Sequence, residues 1–174
     1  MKITLRLIVS LIIVVAVVAI AFSLYQVKIE RQRLTRDLER RTILLSESLE
    51  ESIIPLVQNK NFIKLNRFVE KFGNKERLIG IIVNDIQGGV IASTKAISGY
   101  APIILPQVLN SISEKKAIYD FKKVDVREVF VYTKSFEDEE GNITGALSLF
   151  QDASFIDVRL REIWKYNFIR LLIL

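Results

Sequence analysis

The 174-residue sequence contains neither cysteine nor histidine. The lack of cysteine excludes disulfides, thiolate nucleophiles and Cys/His zinc sites. The lack of histidine excludes a Ser-His-Asp triad and a phospho-accepting histidine within these residues. A carboxylate-only metal site or an Asp/Glu acid–base pair is still chemically possible. These absences exclude much catalytic chemistry, and we expect no cofactor.

Charged residues are absent from one long stretch, which runs from Leu7 to Val27. A helix of this length covers a hydrocarbon core of about 30 Å, because an α-helix rises about 1.5 Å per residue. A cleaved signal peptide is the alternative, but no small-x-small cleavage site follows the stretch. The sequence predicts a cytoplasmic tip and an uncleaved transmembrane helix in residues 1–27, with the lipid bilayer as a partner.

The net charge of +5 is concentrated next to this apolar stretch. Residues 1–41 carry eight Lys or Arg and three Asp or Glu, whereas residues 42–174 carry seventeen of each sign. Basic side chains beside a membrane span meet anionic lipid headgroups, whereas a nucleic-acid-binding protein carries its basic patch on the folded domain. We expect no nucleic-acid partner.

Two amphipathic helices are predicted after the span. Residues 28–59 form a long juxtamembrane helix, in which Arg41 and Thr42 interrupt an apolar stripe and Pro55 ends or kinks the helix. The apolar residues that recur near the helical period are Leu34, Leu38, Leu45, Leu49, Ile53 and Leu56. Such a stripe can pack on its own domain or on a second copy, and we expect a homodimer through this helix. Residues 61–72 form the second, shorter helix.

The segment NDIQGGVIAST, from Asn84 to Thr94, has two adjacent glycines between apolar runs. A phosphate-binding loop would need GxGxxG or GK[ST] spacing at a helix start, and neither is present. The glycines can instead take the positive φ of a hairpin turn, and Asp85 can bond the turn backbone. A β-hairpin is predicted. Three further strands are expected over residues 117–124, 128–137 and 143–151, after a looser segment at 95–106 and a short helix at 107–113.

These elements predict an α+β fold with a five-stranded antiparallel sheet. The sheet and its helices would occupy residues 60–153. Ser154 and Asp157 predict a capping pair that starts an exit helix over residues 154–174. This helix would place Trp164 and Tyr166 at a membrane interface and then begin a second, truncated span. We expect the chain to be the input part of a longer protein.

The order of these elements resembles the extracytoplasmic PAS-like or Cache sensor domains of bacterial transmembrane receptors. The residues that carry the likeness are IGIIVNDIQGGVIAST and VYTKSFEDEEGNITGALSLFQD. The chain ends, SLYQVKIERQRLTRDLERRTILLSESLEESIIPLV and LREIWKYNFIRLLIL, resemble the sensor portion of membrane-bound trehalose-phosphate synthases. In that family a HAMP linker and a cytoplasmic glycosyltransferase follow the sensor, and neither is present in this sequence. The resemblance implies a sensor that regulates such an output domain, and we expect that the chain is not an enzyme by itself.

The sequence leaves several functions open. A membrane-tethered scaffold, or the sensor of a histidine kinase or another HAMP receptor, would have the same organisation. Lys/Arg counting alone places the domain in the cytoplasm, whereas the resemblance and the exit helix place it outside a bacterial inner membrane, as we expect.

Four polar side chains on otherwise buried segments predict one ligand cavity for a small molecule, since buried polar groups need partners. These residues are Tyr100, Tyr132, Lys134 and Ser148.

Overall fold

A computed structural model describes residues 2–72, 77–124, 127–138 and 140–173. In chain order the helices are α1 (Lys2–Gln58), α2 (Phe62–Phe72), a 3-10 helix (Lys95–Tyr100), α3 (Ala101–Glu114) and α4 (Ser154–Ile173). The strands are β1 (Leu78–Asn84), β2 (Val90–Ser93), β3 (Ile118–Val124), β4 (Arg127–Glu137) and β5 (Ile143–Asp152). The chain divides into two units, one of Met1–Leu38 with Phe155–Leu174 and one of Glu39–Ser154. The boundaries proposed from the sequence at residues 59/60 and 153/154 stay predictions.

The first unit contains the apolar part of α1. Among the described residues one helix, Ile13–Gln58, is long and apolar enough to cross a membrane by length and composition. Its apolar side chains, such as Val18 and Phe22, are about two-thirds exposed. In the same unit Asn167 Nδ2 of α4 donates to Ser23 Oγ of α1 at 2.9 Å. An amide–hydroxyl bond of this kind joins helices in an apolar environment.

The second unit is built on one antiparallel sheet with the strand order β2-β1-β5-β4-β3. The predicted five strands are confirmed, and the fold is the expected PAS-like α+β arrangement. Both faces of β1 and β5 are buried, as the apolar run Ile79–Val83 predicted for a strand covered on each side. The sheet therefore separates two cores.

The first core lies between the sheet and the last turns of α1 together with α2. We call this side the α1 face. It contains Leu49 and Ile53 of α1, Leu65 and Val69 of α2, and strand residues including Ile81, Phe136 and Leu149. The second core lies under α3 and the 3-10 helix, and we call that side the α3 face. It contains Ile97, Ile104, Val108, Val131, Ala146 and Phe150.

The predicted hairpin is confirmed, with β1 and β2 paired from Ile82/Ser93 to Asn84/Val90. Asp85 Oδ1 accepts the N–H groups of Gln87 and Gly89 at 2.9 and 2.7 Å, which closes the turn. Gly88 has a φ of 85°, whereas Gly89 has no positive φ. A Cβ at Gly89 would lie 2.6 Å from the Asp85 carboxylate, so this position needs glycine for space rather than for its dihedral angle.

Two sequence expectations are corrected in the helices. Arg41 and Thr42 do not break the α1 stripe, because Thr42 and Ser46 are fully buried and continue it with small side chains. The segment 95–106 is helical rather than loose. Pro102 stands in the first turn of α3, where a backbone N–H would have no intrahelical partner, and Pro106 is on the exposed side. Pro55 lies inside the last turn of α1.

The start of α4 also differs from the predicted capping pair. Ser154 Oγ is buried without a hydrogen-bond partner among the described residues. Asp152 Oδ1 accepts the Ser154 N–H at 2.8 Å instead. The acceptor at this helix start therefore comes from the end of β5, two residues earlier than the sequence pattern predicted.

Candidate functional site

The four residues predicted to line one cavity lie on opposite faces of the sheet. Tyr132 and Lys134 alternate with Thr133 along β4 and pair with Leu149 and Leu147, which belong to the α1 face. Ser148 is opposite Thr133 on the α3 face, and Tyr100 packs against that core from the 3-10 helix. The single shared cavity expected from the sequence does not fit this placement, because side chains of period two on one strand point to opposite sides. A ligand-binding role for each residue stays a prediction.

On the α1 face, Lys134 makes an ion pair with a helix residue far away in sequence. Lys134 Nζ lies 2.9 Å from Glu50 Oε2, and the Glu50 side chain is only 12% exposed. Ser46 Oγ donates to the other carboxylate oxygen, Oε1, at 2.8 Å. Glu50 is thus held by one cation and one hydroxyl, which compensates the cost of removing a carboxylate from water. This contact joins the middle of the sheet to α1.

Tyr132 lies beside this ion pair and is 3% exposed. Burial, and then the negative charges of Glu50, Glu47 and Glu39, raise the pKa of Tyr132 to about 12. All these causes disfavour the phenolate, so the side chain is a neutral donor over the whole physiological range. The raised pKa of Tyr132 therefore reflects both its burial and the acidic side of α1 that covers this part of β4.

On the α3 face the buried polar groups are neutral. Thr133 Oγ1 and Ser148 Oγ are 2.9 Å apart across β4 and β5, and both side chains have zero exposure. Only one of the two hydroxyls can donate to the other, so one hydroxyl hydrogen is left for another acceptor. On α3, Ser111 Oγ donates to the Lys116 carbonyl at 2.7 Å and accepts the Ser135 N–H at 3.0 Å.

Gln107 of α3 adds a buried acceptor on the same face. Its Nε2 donates to the carbonyls of Ile118 and Val131 at 3.0 and 3.3 Å. These two acceptors fix the orientation of the amide, because a reversed amide would set oxygen against oxygen. Oε1 is then buried with no hydrogen-bond partner in the part of the chain that the structure describes. A buried, unpaired carbonyl costs about 1–3 kcal/mol, so a donor at this place would be stabilising.

We name the set Gln107, Ser111, Thr133 and Ser148 the α3-face polar cluster. Of its members only Ser148 was predicted from the sequence. Gln107 and Ser111 are four residues apart and lie on one side of α3, a spacing that an exposed polar stripe would also show. Thr133 lies in a strand where polar and apolar residues alternate, a pattern that is also typical of a strand with one exposed face. Nothing in the local pattern distinguishes these buried positions from exposed ones, and Glu50 was missed for the same reason.

No group of three or more Asp or Glu residues that could hold a metal lies in the described ranges 2–72, 77–124, 127–138 and 140–173. The acidic loop after β4 is instead closed by its own bonds. Asp138 Oδ1 accepts the N–H groups of Glu140 and Asn142 at 3.0 and 2.8 Å. These bonds, that of Asn142 first, lower the pKa of Asp138.

Comparison with known proteins gave matches among solved structures. The chain is similar to the sensor domain of the histidine kinase DctB of V. cholerae, with 15% identity, a TM-score of 0.47, and coverage of 73% of this chain and 55% of that one. It is similar to the E. coli DcuS sensor domain, with 11% identity, a TM-score of 0.42, and coverage of 56% and 72%. The PAS domain of Bordetella pertussis BvgS has 13% identity, a TM-score of 0.42, and coverage of 62% and 96%.

Neither the protein-family models nor the curated proteins gave a match. Because the identities are 15% or lower and the TM-scores 0.47 or lower, no function is assigned to this chain from these structures.

Proposed function

We propose that this chain is a membrane-anchored sensor module that takes a small polar molecule on the α3 face and passes the change to α1. The observation that carries the proposal is the arrangement of β4. Thr133 bonds into the α3-face polar cluster, and the next residue, Lys134, bonds to Glu50 of α1. One strand therefore links a neutral buried interior to the helix that continues from the apolar segment.

The chemistry of the α3-face polar cluster indicates the class of ligand. Gln107 Oε1 would accept a hydrogen bond, and the Thr133/Ser148 hydroxyl pair would donate one. All four side chains are uncharged, which favours a neutral ligand with both a donor and an acceptor over an ion. Tyr100, at the edge of this core, would lie at the entrance. Tyr132 and Lys134 would not touch the ligand but would report its presence to α1.

For such a signal the ligand must bind two packings of the domain with different affinity. Lys134 lies on β4, so a shift of β4 against β5 would move its amine relative to Glu50 and change the length of their ion pair. The helix would then change its position or its order along residues 39–58. The alternative function, a tethered scaffold, predicts no small-molecule dependence of this contact.

A thermal-shift screen of the full chain in detergent micelles tests the proposal. The probes are panels of neutral polyols, amides and mono- and disaccharides. A ligand at 100 times its Kd stabilises the native state by about 2.7 kcal/mol, and it should raise Tm accordingly. The double variant Thr133→Val/Ser148→Ala should lose this shift, whereas Lys134→Met should keep it. A shift that survives in the first variant would place the ligand elsewhere, and no shift across the panels would favour the scaffold.

The location of the domain outside the cytoplasm is a second part of the proposal. The loop Asp138–Asn142 is suited to a topology test because Gly141 and Asn142 are exposed. A phosphatase fused after Gly141 should be active, and a fluorescent protein exported there by the general secretion route should be dark. The opposite pair of results would put the domain in the cytoplasm.

The identity of the output is a third, separate proposal. The resemblance of the chain ends implies control of a trehalose-phosphate synthase through a HAMP linker. A histidine kinase is the alternative. Translation of the DNA that follows codon 174 distinguishes them, since a glycosyltransferase supports the first and a kinase core the second.

A further inference from the structure

We propose that the outer faces of α1 and α2 form a self-complementary surface through which two copies of this chain associate, with the acidic end of α1 from one copy on the basic row of α2 from the other. The two faces carry opposite charge and one exposed apolar side chain each. This proposal does not depend on ligand binding at the α3 face.

The outer face of α1 is acidic near its end. Glu47 and Glu51 are one turn apart, and both are exposed on the side of the helix opposite Leu49 and Ile53. Leu44, one turn before Glu47 on the same side, is 60% exposed. A leucine with this exposure is ordinary when isolated, but here it adjoins a row of like charges.

The outer face of α2 carries one basic row, and the exposed Glu70 lies beside it. Lys64, Arg67 and Lys71 follow each other at intervals of three and four residues, so they form one row. Leu65 and Val69, with zero exposure, are on the opposite side. Ile63 lies beside the row and is 73% exposed. None of the three cations has a carboxylate within 4.0 Å among the residues that the structure describes, so their charges are not compensated within the copy.

The acidic and basic rows lie at similar distances from the turn that joins the two helices. The turn Asn59–Asn61 joins α1 to α2, and its backbone bonds, such as Asn61 N to the Leu56 carbonyl at 2.9 Å, hold the two helix ends together. Glu51 is seven residues before the end of α1, about 10 Å by helix rise, and Arg67 and Lys71 are about 8 and 14 Å from the start of α2. A two-fold arrangement that sets α1 of one copy beside α2 of the other would therefore bring each acidic row to the partner's basic row.

This pairing differs from contact between two α1 helices across the same axis. In that arrangement Glu47 and Glu51 would face the same residues of the second copy, which is destabilising because like charges repel. Pairing of α1 with α2 gives opposite charges at both halves of an isologous interface. The charge pattern therefore favours the α1–α2 pairing.

Charge reversal tests the proposal in the full chain in detergent micelles, with the mass measured by light scattering. Variant A carries Glu47→Lys and Glu51→Lys, and variant B carries Lys64→Glu and Lys71→Glu. Each alone should weaken self-association at least about tenfold, since like charges then oppose each other at both halves of the interface. A mixture of A and B should form a heterodimer, because every contact between them regains opposite charges.

The absence of cysteine allows a second test that needs no charge change. Two differently tagged full chains, one with Glu51→Cys and one with Lys71→Cys, are co-expressed and oxidised in membranes. A disulfide between the two tags is expected, since it requires Cα atoms about 4.4–6.8 Å apart. Asn110→Cys, exposed on α3, replaces Lys71→Cys as the matched control and should give no cross-link.

Each outcome decides the proposal. If variant B forms dimers as stable as those of the wild type and variant A does not, the contact involves α1 alone. A monomeric wild type without cross-links would show that the rows are solvated charge only. If a reversed variant fails to fold, as judged by its thermal transition, the cross-link between Glu51→Cys and Lys71→Cys decides.

Discussion

The two faces of the sheet are closed by different chemistry, although the same three central strands build both. On the α1 face the polar contact is a part-buried ion pair, Lys134 with Glu50, which a helix hydroxyl completes. On the α3 face it is a neutral network in which Gln107 Oε1 has no partner among the described residues, and Asn84 Oδ1 of β1 is a second buried acceptor of this kind. An ion pair holds one geometry strongly and penalises loss of either partner. A neutral network with an unpaired acceptor would be stabilised by a further hydrogen-bond donor. The comparison indicates a fixed face toward α1 and an adaptable face toward α3.

The largest expected effect comes from breaking the fixed face. Lys134→Met keeps the aliphatic stem but leaves the 12% exposed Glu50 without its cation, which should cost about 1–3 kcal/mol. Thermal unfolding of the full chain in micelles should show a loss of about 2–4 °C in Tm for each kcal/mol. Lys123→Met, an exposed lysine on β3, is the control and should change Tm little. If Tm fell equally in both variants, the Lys134–Glu50 ion pair would contribute no more to stability than an exposed lysine does.

The adaptable face should respond less, and its response should be non-additive. Thr133→Val removes the partner that Ser148 Oγ has among the described residues and should cost about 1–2 kcal/mol. Ser148→Ala should cost a similar amount. The double variant should lose less than the sum of both, because no unpaired hydroxyl remains. A double-mutant cycle on Tm measures this coupling, and strict additivity would contradict a mutual hydrogen bond.

Tyr132 allows a test of the acidic environment by pH. The pKa of Tyr132 is raised from 10.0 to about 12 in the folded state. The unfolded chain therefore loses this proton first, so stability is unaffected below pH 10 and falls as pH rises from 10 to 12. Tyr132→Phe should lessen this fall relative to wild type, whereas Tyr166→Phe, on an exposed tyrosine, should not. If the stability of all three proteins fell in the same way with alkaline pH, the pKa of Tyr132 would not be raised by its surroundings.

The smallest effect is expected in the loop that neither face covers. Backbone bonds from Asn142 and Glu140 lower the pKa of Asp138, so its contribution is present at neutral pH and is lost as pH falls through the folded-state pKa. Asp138→Ala should lower Tm slightly at pH 7, and the difference from wild type should shrink as the pH is lowered through the folded-state pKa. Glu140→Gln keeps the backbone N–H that Asp138 binds and is the control. A pH-independent difference would indicate a structural cause other than the carboxylate.

The sequence by itself determined much of the fold. Charge-free residues from Leu7 to Val27, the helical period after them and the alternation of the later strands identified the long apolar helix, α2 and all five strands. These patterns are local, because hydrophobic periodicity directly reflects which side of an element is buried. The hairpin at Gly88 followed in the same way from turn chemistry. The helical character of residues 95–106 was missed because prolines in a first turn resemble prolines in a loop.

The candidate site was decided only by the tertiary structure. Period-two alternation on β4 separates Lys134 from Thr133, but only the sheet order and the helices above and below show that both faces are buried. Glu50 and Lys134 are 84 residues apart, and Gln107 is 24 residues from the Val131 carbonyl that it bonds. A sequence shows that such groups are polar. Whether a polar group is exposed, paired or left with an unpaired acceptor depends on long-range packing, which local patterns do not contain.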